Sequence, residues 1–184
     1  MEPLVHLTLA LSFATLFGAA ALDKMRALSE WPGVVRNYRL MPDAFVGAAA
    51  AGLLAAEAFT AAALLWPPTQ HIGACSAALM LLLFATAISI NIRRGRTDID
   101  CGCFGTKLHQ VLSSWLVVRN VSLAVLASTL LLPVARRPLT ALEIAISITL
   151  VLTLAFLYPV VAVVLAAPGR ADARVLSDVA RPSR

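Results

Sequence analysis

The chain has 184 residues; 60% are hydrophobic, 14% are charged, and the formal net charge is +5. A soluble domain carries about 25% charged residues, and the mean hydropathy here is +0.84. A soluble globular fold, a disordered chain and a collagen-like repeat are therefore excluded, and three cysteines are too few for a small disulfide scaffold.

What remains is an all-α integral membrane protein. A hydrocarbon core of about 30 Å needs roughly 20 apolar residues in a helix. Five runs qualify, at residues 4–22, 44–66, 72–92, 115–132 and 141–167. The transmembrane domain is expected over 1–167, with a basic, mobile cytoplasmic tail over 168–184. The first run lacks a basic leader, since Glu2 precedes it. Asp23 and Lys24 follow it in place of a small-residue cleavage site, so it is expected to remain as a span.

Between the first two runs, Leu28, Trp31, Val35 and Tyr38 recur at helical spacing, with Arg36 and Arg39 off that face. This pattern predicts a short helix lying in the membrane interface. In the second run the small residues 48–52, A-A-A-A-G, permit close helix approach. Glu57 falls near its middle, and an intramembrane carboxyl is a functional-site candidate by default. Burial favours its protonated form, and Ser128 of the fourth run, at similar depth, is a candidate hydrogen-bond partner. A functional role for Glu57 and a structural interhelical bond both stay open.

Cys75 opens the third run and is expected to be a buried free thiol acting as a small hydrophobe. The following loop carries Asp100, Cys101, Gly102, Cys103, Phe104 and Gly105. Gly102 and Gly105 permit backbone angles that could bring both sulfurs to one side. A disulfide in so small a ring is strained, so it suits exchange better than structure. Arg93, Arg94, Arg96 and Lys107 favour the reactive thiolate, while Asp98 and Asp100 oppose it. Three readings compete: a redox dithiol, a tight turn packed on the bundle, and a metal site using His109. The one-residue cysteine spacing is poor for zinc, so no metal is expected. Arg119 and Asn120, early in the fourth run, are expected to anchor this loop. Pro159 is expected to kink the fifth run or to end its buried part early.

Basic residues sort by side. Lys24, Arg26, Arg36, Arg39, Arg93, Arg94, Arg96, Lys107, Arg170, Arg174, Arg181 and Arg184 fall on one side, twelve in all; only Arg136 and Arg137 fall on the other. The positive-inside rule then puts the N-terminus outside and the C-terminus inside. The same placement between apolar runs argues against nucleic acid as a partner.

Several pieces resemble the methylamine utilisation protein MauE family, within the wider group of DoxX-like membrane proteins. They are Asp23, Lys24 and Met25 at the end of the first span, and V-V-R-N-Y-R-L-M-P at 34–42. Glu57 follows, then N-I-R-R-G-R at 91–96 leading to D-C-G-C-F-G at 100–105, and W-L-V-V-R-N at 115–120. Their order spans roughly residues 5–132, and the C-G-C-F-G loop is the most specific part. The resemblance implies a four-helix bundle plus a fifth span in the cytoplasmic membrane. It implies a part in maturing the small subunit of a periplasmic methylamine dehydrogenase, through thiol–disulfide chemistry at Cys101 and Cys103. It also implies a thioredoxin-like partner and an accessory factor more than a stand-alone enzyme. No cofactor is firmly implied, and a quinone stays open. A periplasmic client would prefer an outward dithiol, whereas the charge count turns the loop inward. The rival readings are a small-solute or proton-coupled transporter using Glu57, and a non-catalytic scaffold for an oxidoreductase.

Overall fold

The computed structural model describes residues 1–97, 99, 112–135 and 137–166, with residues 154 and 156–166 described by their backbone alone. The described residues form six helices: α1 (Pro3–Arg26), α2 (Trp31–Asn37), α3 (Asp43–Leu65), α4 (Gln70–Arg93), α5 (Ser114–Ser128) and α6 (Ala141–Ala166). Short 3₁₀ turns extend two of them, Pro67–Thr69 before α4 and Thr129–Leu131 after α5. Four spans are long and apolar enough to cross a membrane: α1, α3, α4 with the turn before it, and α5 with the turn after it. The fold is an all-helical membrane bundle. Helix α6 occupies the fifth apolar run and continues past Pro159 without ending there.

Prolines set several boundaries. Pro3 and Pro32 sit in the first turns of α1 and α2, where a missing N–H is harmless. Pro42 is extended just before α3. Pro67 and Pro68 follow α3, and Thr69 Oγ1 and Gln70 Nε2 donate to the freed carbonyls of Ala63 and Leu64. This tight α3–α4 hairpin needs Gly73. A Cβ there would lie 2.9 Å from the Leu64 backbone nitrogen.

Helices α1, α3, α4 and α5 share one apolar core, with Phe13 and Phe17 of α1 against Leu64, Ala74, Ala77 and Ala127. Alanine dominates because small side chains let helices approach closely, where lipid offers no hydrophobic drive between them. The outer faces are apolar as well: Phe59, Leu79, Leu83, Val118 and Val125 are all more than half exposed. That pattern suits lipid contact and is the reverse of a soluble helix. Hydroxyl pairs join neighbouring helices, Thr60 to Ser76 at 2.6 Å and Thr8 to Ser147 at 3.0 Å.

One end of the bundle gathers the N-terminus and the α5–α6 connection. The Met1 ammonium donates to Pro133 O at 2.5 Å, and Ala135 N donates to Met1 O. Arg137 bonds both Glu143 and Glu2, which hold its guanidinium protonated beyond the usual arginine range. The other end gathers α2 and the C-terminus of α4: Arg94 Nη1 donates to Arg39 O at 3.1 Å, and Arg96 Nη2 to Asn37 O at 2.9 Å.

Candidate functional site

Helix α1 does not stop where its apolar run stops. It continues through Asp23, Lys24 and Met25 to Arg26, and Lys24 is turned inward and buried, 1% exposed. Its Nζ donates to both carboxylate oxygens of Glu57, at 2.6 and 2.8 Å. Glu57 is equally buried. It lies fourteen residues beyond Asp43, roughly 21 Å along α3 at 1.5 Å per residue. Helix α1 therefore ends beside the middle of α3. The rest of that flank is covered by α2, whose Trp31 and Val35 pack on Val46 and Ala50. The Trp31 indole N–H donates to Ala50 O at 2.9 Å. Its ring lies 4.7 Å from Lys24 Nζ, with the Phe84 ring at 6.0 Å. An ion pair roofed by aromatic faces is shielded from water, where charge pairing and cation–π attraction are strongest.

Three expectations are corrected here. Lys24 was counted among the loop charges; it belongs to the buried pair, because an anionic partner lets a helix carry a cation inward. Ser128 does not reach Glu57; its hydroxyl donates to Ala124 O in its own helix. The predicted short helix forms over Trp31–Asn37; Leu28 lies ahead of it and is 59% exposed, whereas Trp31 and Val35 are buried against α3 in place of lying in the interface. That helix is thus a packed piece of the bundle. The partner of Glu57 was missed because Lys24 lies 33 residues away and at a helix end. The local signal was a basic residue within D-K-M-R just after one span and a lone acid within the next.

Helix α4 ends at Arg93, and the chain turns through Gly95 at φ 70°. Beyond it, Leu112 N donates to Thr97 O at 3.1 Å, and Ile99 packs against the cluster of Ile88, Leu112 and Leu116. This junction pins together the two ends of the segment carrying Cys101 and Cys103. The candidate residues Asp100, Cys101, Gly102, Cys103, Phe104 and Gly105, with Asp98, Lys107 and His109, lie outside the described residues, as does the tail. Among the described residues no cluster of His, Cys, Asp and Glu could hold a metal.

Asn120 is buried at 2% exposure, and its amide donates to Leu116 O. Arg119 is half-buried beside it. Cys75 departs from expectation: it is exposed on α4, because the buried stripe there runs through Gly73, Ala74 and Ala77. It sits in the first turns of α4, at the end of the bundle away from Thr97.

The family model for the methylamine utilisation protein MauE matches residues 2–133. The chain belongs to the MauE family. It is 46% identical over 127 residues to the methylamine utilization protein MauE of Paracoccus denitrificans, covering 69% of this chain and 68% of that one. The likeness to MauE of Paracoccus versutus is 42% over 137 residues, covering 73% and 74%. For MauE of Methylorubrum extorquens it is 43% over 136 residues, covering 73% of each. No solved structure gives a significant match. The MauE match includes Lys24, Glu57, Trp31 and both sides of the cysteine loop, and it stops short of α6.

Proposed function

We propose that this MauE-family chain serves methylamine utilisation from within the cytoplasmic membrane, where it matures the small subunit of a periplasmic amine dehydrogenase. Cys101 and Cys103 act as the exchanging dithiol, with a thioredoxin-like protein as partner. The observation that carries this reading is the Leu112–Thr97 junction. It holds the two ends of the cysteine segment together, beside Ile88 and Leu116. Closing the ends of a segment limits the freedom that its reactive groups must lose when they meet a partner.

The chemistry balances simply. One thiolate attacks a disulfide of the thioredoxin-like partner, forming a mixed disulfide and releasing one partner thiolate. The second cysteine then attacks the mixed disulfide. The chain is left oxidised, and the partner has gained two electrons and two protons. Run in reverse, the same steps deliver a disulfide. Arg93, Arg94 and Arg96 flank the loop base and favour the thiolate. Both oxygens of Glu57 are taken by Lys24, which favours a holding role for that pair over the transporter reading.

The test is complementation of amine-dependent growth at matched expression. Cys101→Ser and Cys103→Ser should each abolish growth while the protein stays in the membrane, and each should accumulate a mixed disulfide. Cys75→Ser should be silent. Full growth of the Cys101→Ser/Cys103→Ser double variant would show the loop to be structural only.

A further inference from the structure

The cleft between α2, α3 and α4 has no part in the thiol chemistry. It encloses about 350 Å³, within the size range of small-ligand sites. Its walls are apolar: Val34 of α2 and Tyr38 just after it, Leu53 of α3, Leu83 and Ala87 of α4, with Met41 beside them. Leu83 is 52% exposed on the outer face of the bundle, so the cleft meets the bilayer.

The mouth is cationic. On α4, Leu83 and Ala87 lie on the stripe that leads two turns on to Arg94. Arg94 reaches across to the Arg39 carbonyl at 3.1 Å. At Arg39 the backbone turns with φ 47°, and the next two residues, Leu40 and Met41, line the cleft. Arg96 is tied to the Asn37 carbonyl. Among the described residues Arg39, Arg94 and Arg96 form no ion pair; the nearby Asp43 is paired with Arg36 at 3.4 Å. The Arg94 and Arg96 guanidiniums thus meet neutral oxygens, backbone carbonyls and Asn91 Oδ1, beside an apolar slot. That combination matches one kind of molecule, with an anionic head and an apolar tail, drawn from the bilayer itself.

We propose that this cleft seats an acyl chain of an anionic phospholipid whose phosphate lies on Arg39 and Arg94. The lipid fills the space that α2 leaves beside α4 and neutralises the rim. A free fatty acid shares the tail but brings a carboxylate in place of a phosphodiester, and inorganic phosphate shares the head alone.

The experiment uses the full chain in vesicles of equal parts phosphatidylglycerol and phosphatidylcholine, extracted gently, with retained lipid measured by native mass spectrometry. The wild-type chain should retain phosphatidylglycerol in preference. Each arginine near a membrane surface contributes about a fivefold preference, so Arg39→Asn with Arg94→Gln should lower the enrichment by more than tenfold. Asparagine suits the positive φ of Arg39, and circular dichroism checks that the helices persist. Ala87→Leu fills the cleft without changing charge and should also remove the retained lipid. Equal retention of the two lipids by the wild type overturns the proposal. So does enrichment that survives Ala87→Leu, which would mean surface attraction without a seat. Displacement of the lipid by inorganic phosphate alone, or by fatty acid alone, likewise overturns it.

Discussion

At Gly95 the chain leaves α4 through a left-handed residue. Its N–H donates to Ile92 O at 2.9 Å, and the Arg96 N–H donates to Asn91 O at 3.0 Å. These are the two bonds of a Schellman stop, which spares the last carbonyls of the helix and aims the chain toward the cysteine segment. A Cβ at φ 70° is opposed by the carbonyl that follows, at about 1–2 kcal/mol. We expect Gly95→Ala to destabilise the protein by that amount in thermal unfolding in detergent, and Gly95→Asn by less. Open space surrounds the glycine, so the loss is conformational; an unchanged midpoint for Gly95→Ala would contradict this account. The residue was visible in the sequence within N-I-R-R-G-R, where a glycine after the last periodic positions marks a helix end. Its neighbour Arg39, at φ 47°, was not, because arginine carries no such signal.

Among the elements, the junction of α1, α2 and α3 differs most from what hydropathy reads. Apolar run length located all four strong spans, because lipid demands that each be apolar over its full crossing. The same logic ended the first span at residue 22, since a charge terminates an apolar run. The chain instead stays helical to Arg26, because Glu57 compensates Lys24. Which helix supplies that compensation depends on stagger, and stagger is a tertiary property that one sequence does not display. The pair ties the end of α1 to mid-α3, and Trp31 covers it. Removing one partner leaves an uncompensated buried charge, about 3–5 kcal/mol. We expect Lys24→Met and Glu57→Leu each to lower stability on that scale. The Lys24→Met/Glu57→Leu double variant should recover much of the loss, since a buried pair replaced by apolar groups is often near neutral. Full additivity of the two losses in a double-mutant cycle would mean that the contact at 2.6 Å contributes no coupling. If the pair only holds the elements, the double variant also keeps amine-dependent growth; if it carries protons, growth fails although stability returns.

For the molecule as a whole, the helix contacts fix which segments share an end. Met1 meets Pro133, and Arg137 meets Glu2, so the N-terminus and the α5–α6 connection lie together. Arg94 meets Arg39, so the α1–α3 connection and the end of α4 lie together at the other end. This pairing agrees with the sorting of loops by sequence alternation, on which the charge count rests. Moving Lys24 into the core leaves eleven basic residues against two, and the bias keeps its direction. The expected outcome is an outward N-terminus, with Gly95 facing the cytoplasm. Single cysteines placed at Glu2, Leu139 and Gly95, in a background with Cys75, Cys101 and Cys103 replaced by Ser, make this measurable in intact cells. A membrane-impermeant maleimide should label Glu2→Cys and Leu139→Cys, and should reach Gly95→Cys only after permeabilisation. Labelling of Gly95→Cys alone in intact cells would invert the topology. It would also turn the cysteine loop toward the periplasm, where a dithiol meets a periplasmic client directly. With the expected orientation, electrons exchanged with such a client must cross the bundle or pass through a partner. The labelling pattern therefore decides which of these routes is open to the proposed thiol chemistry.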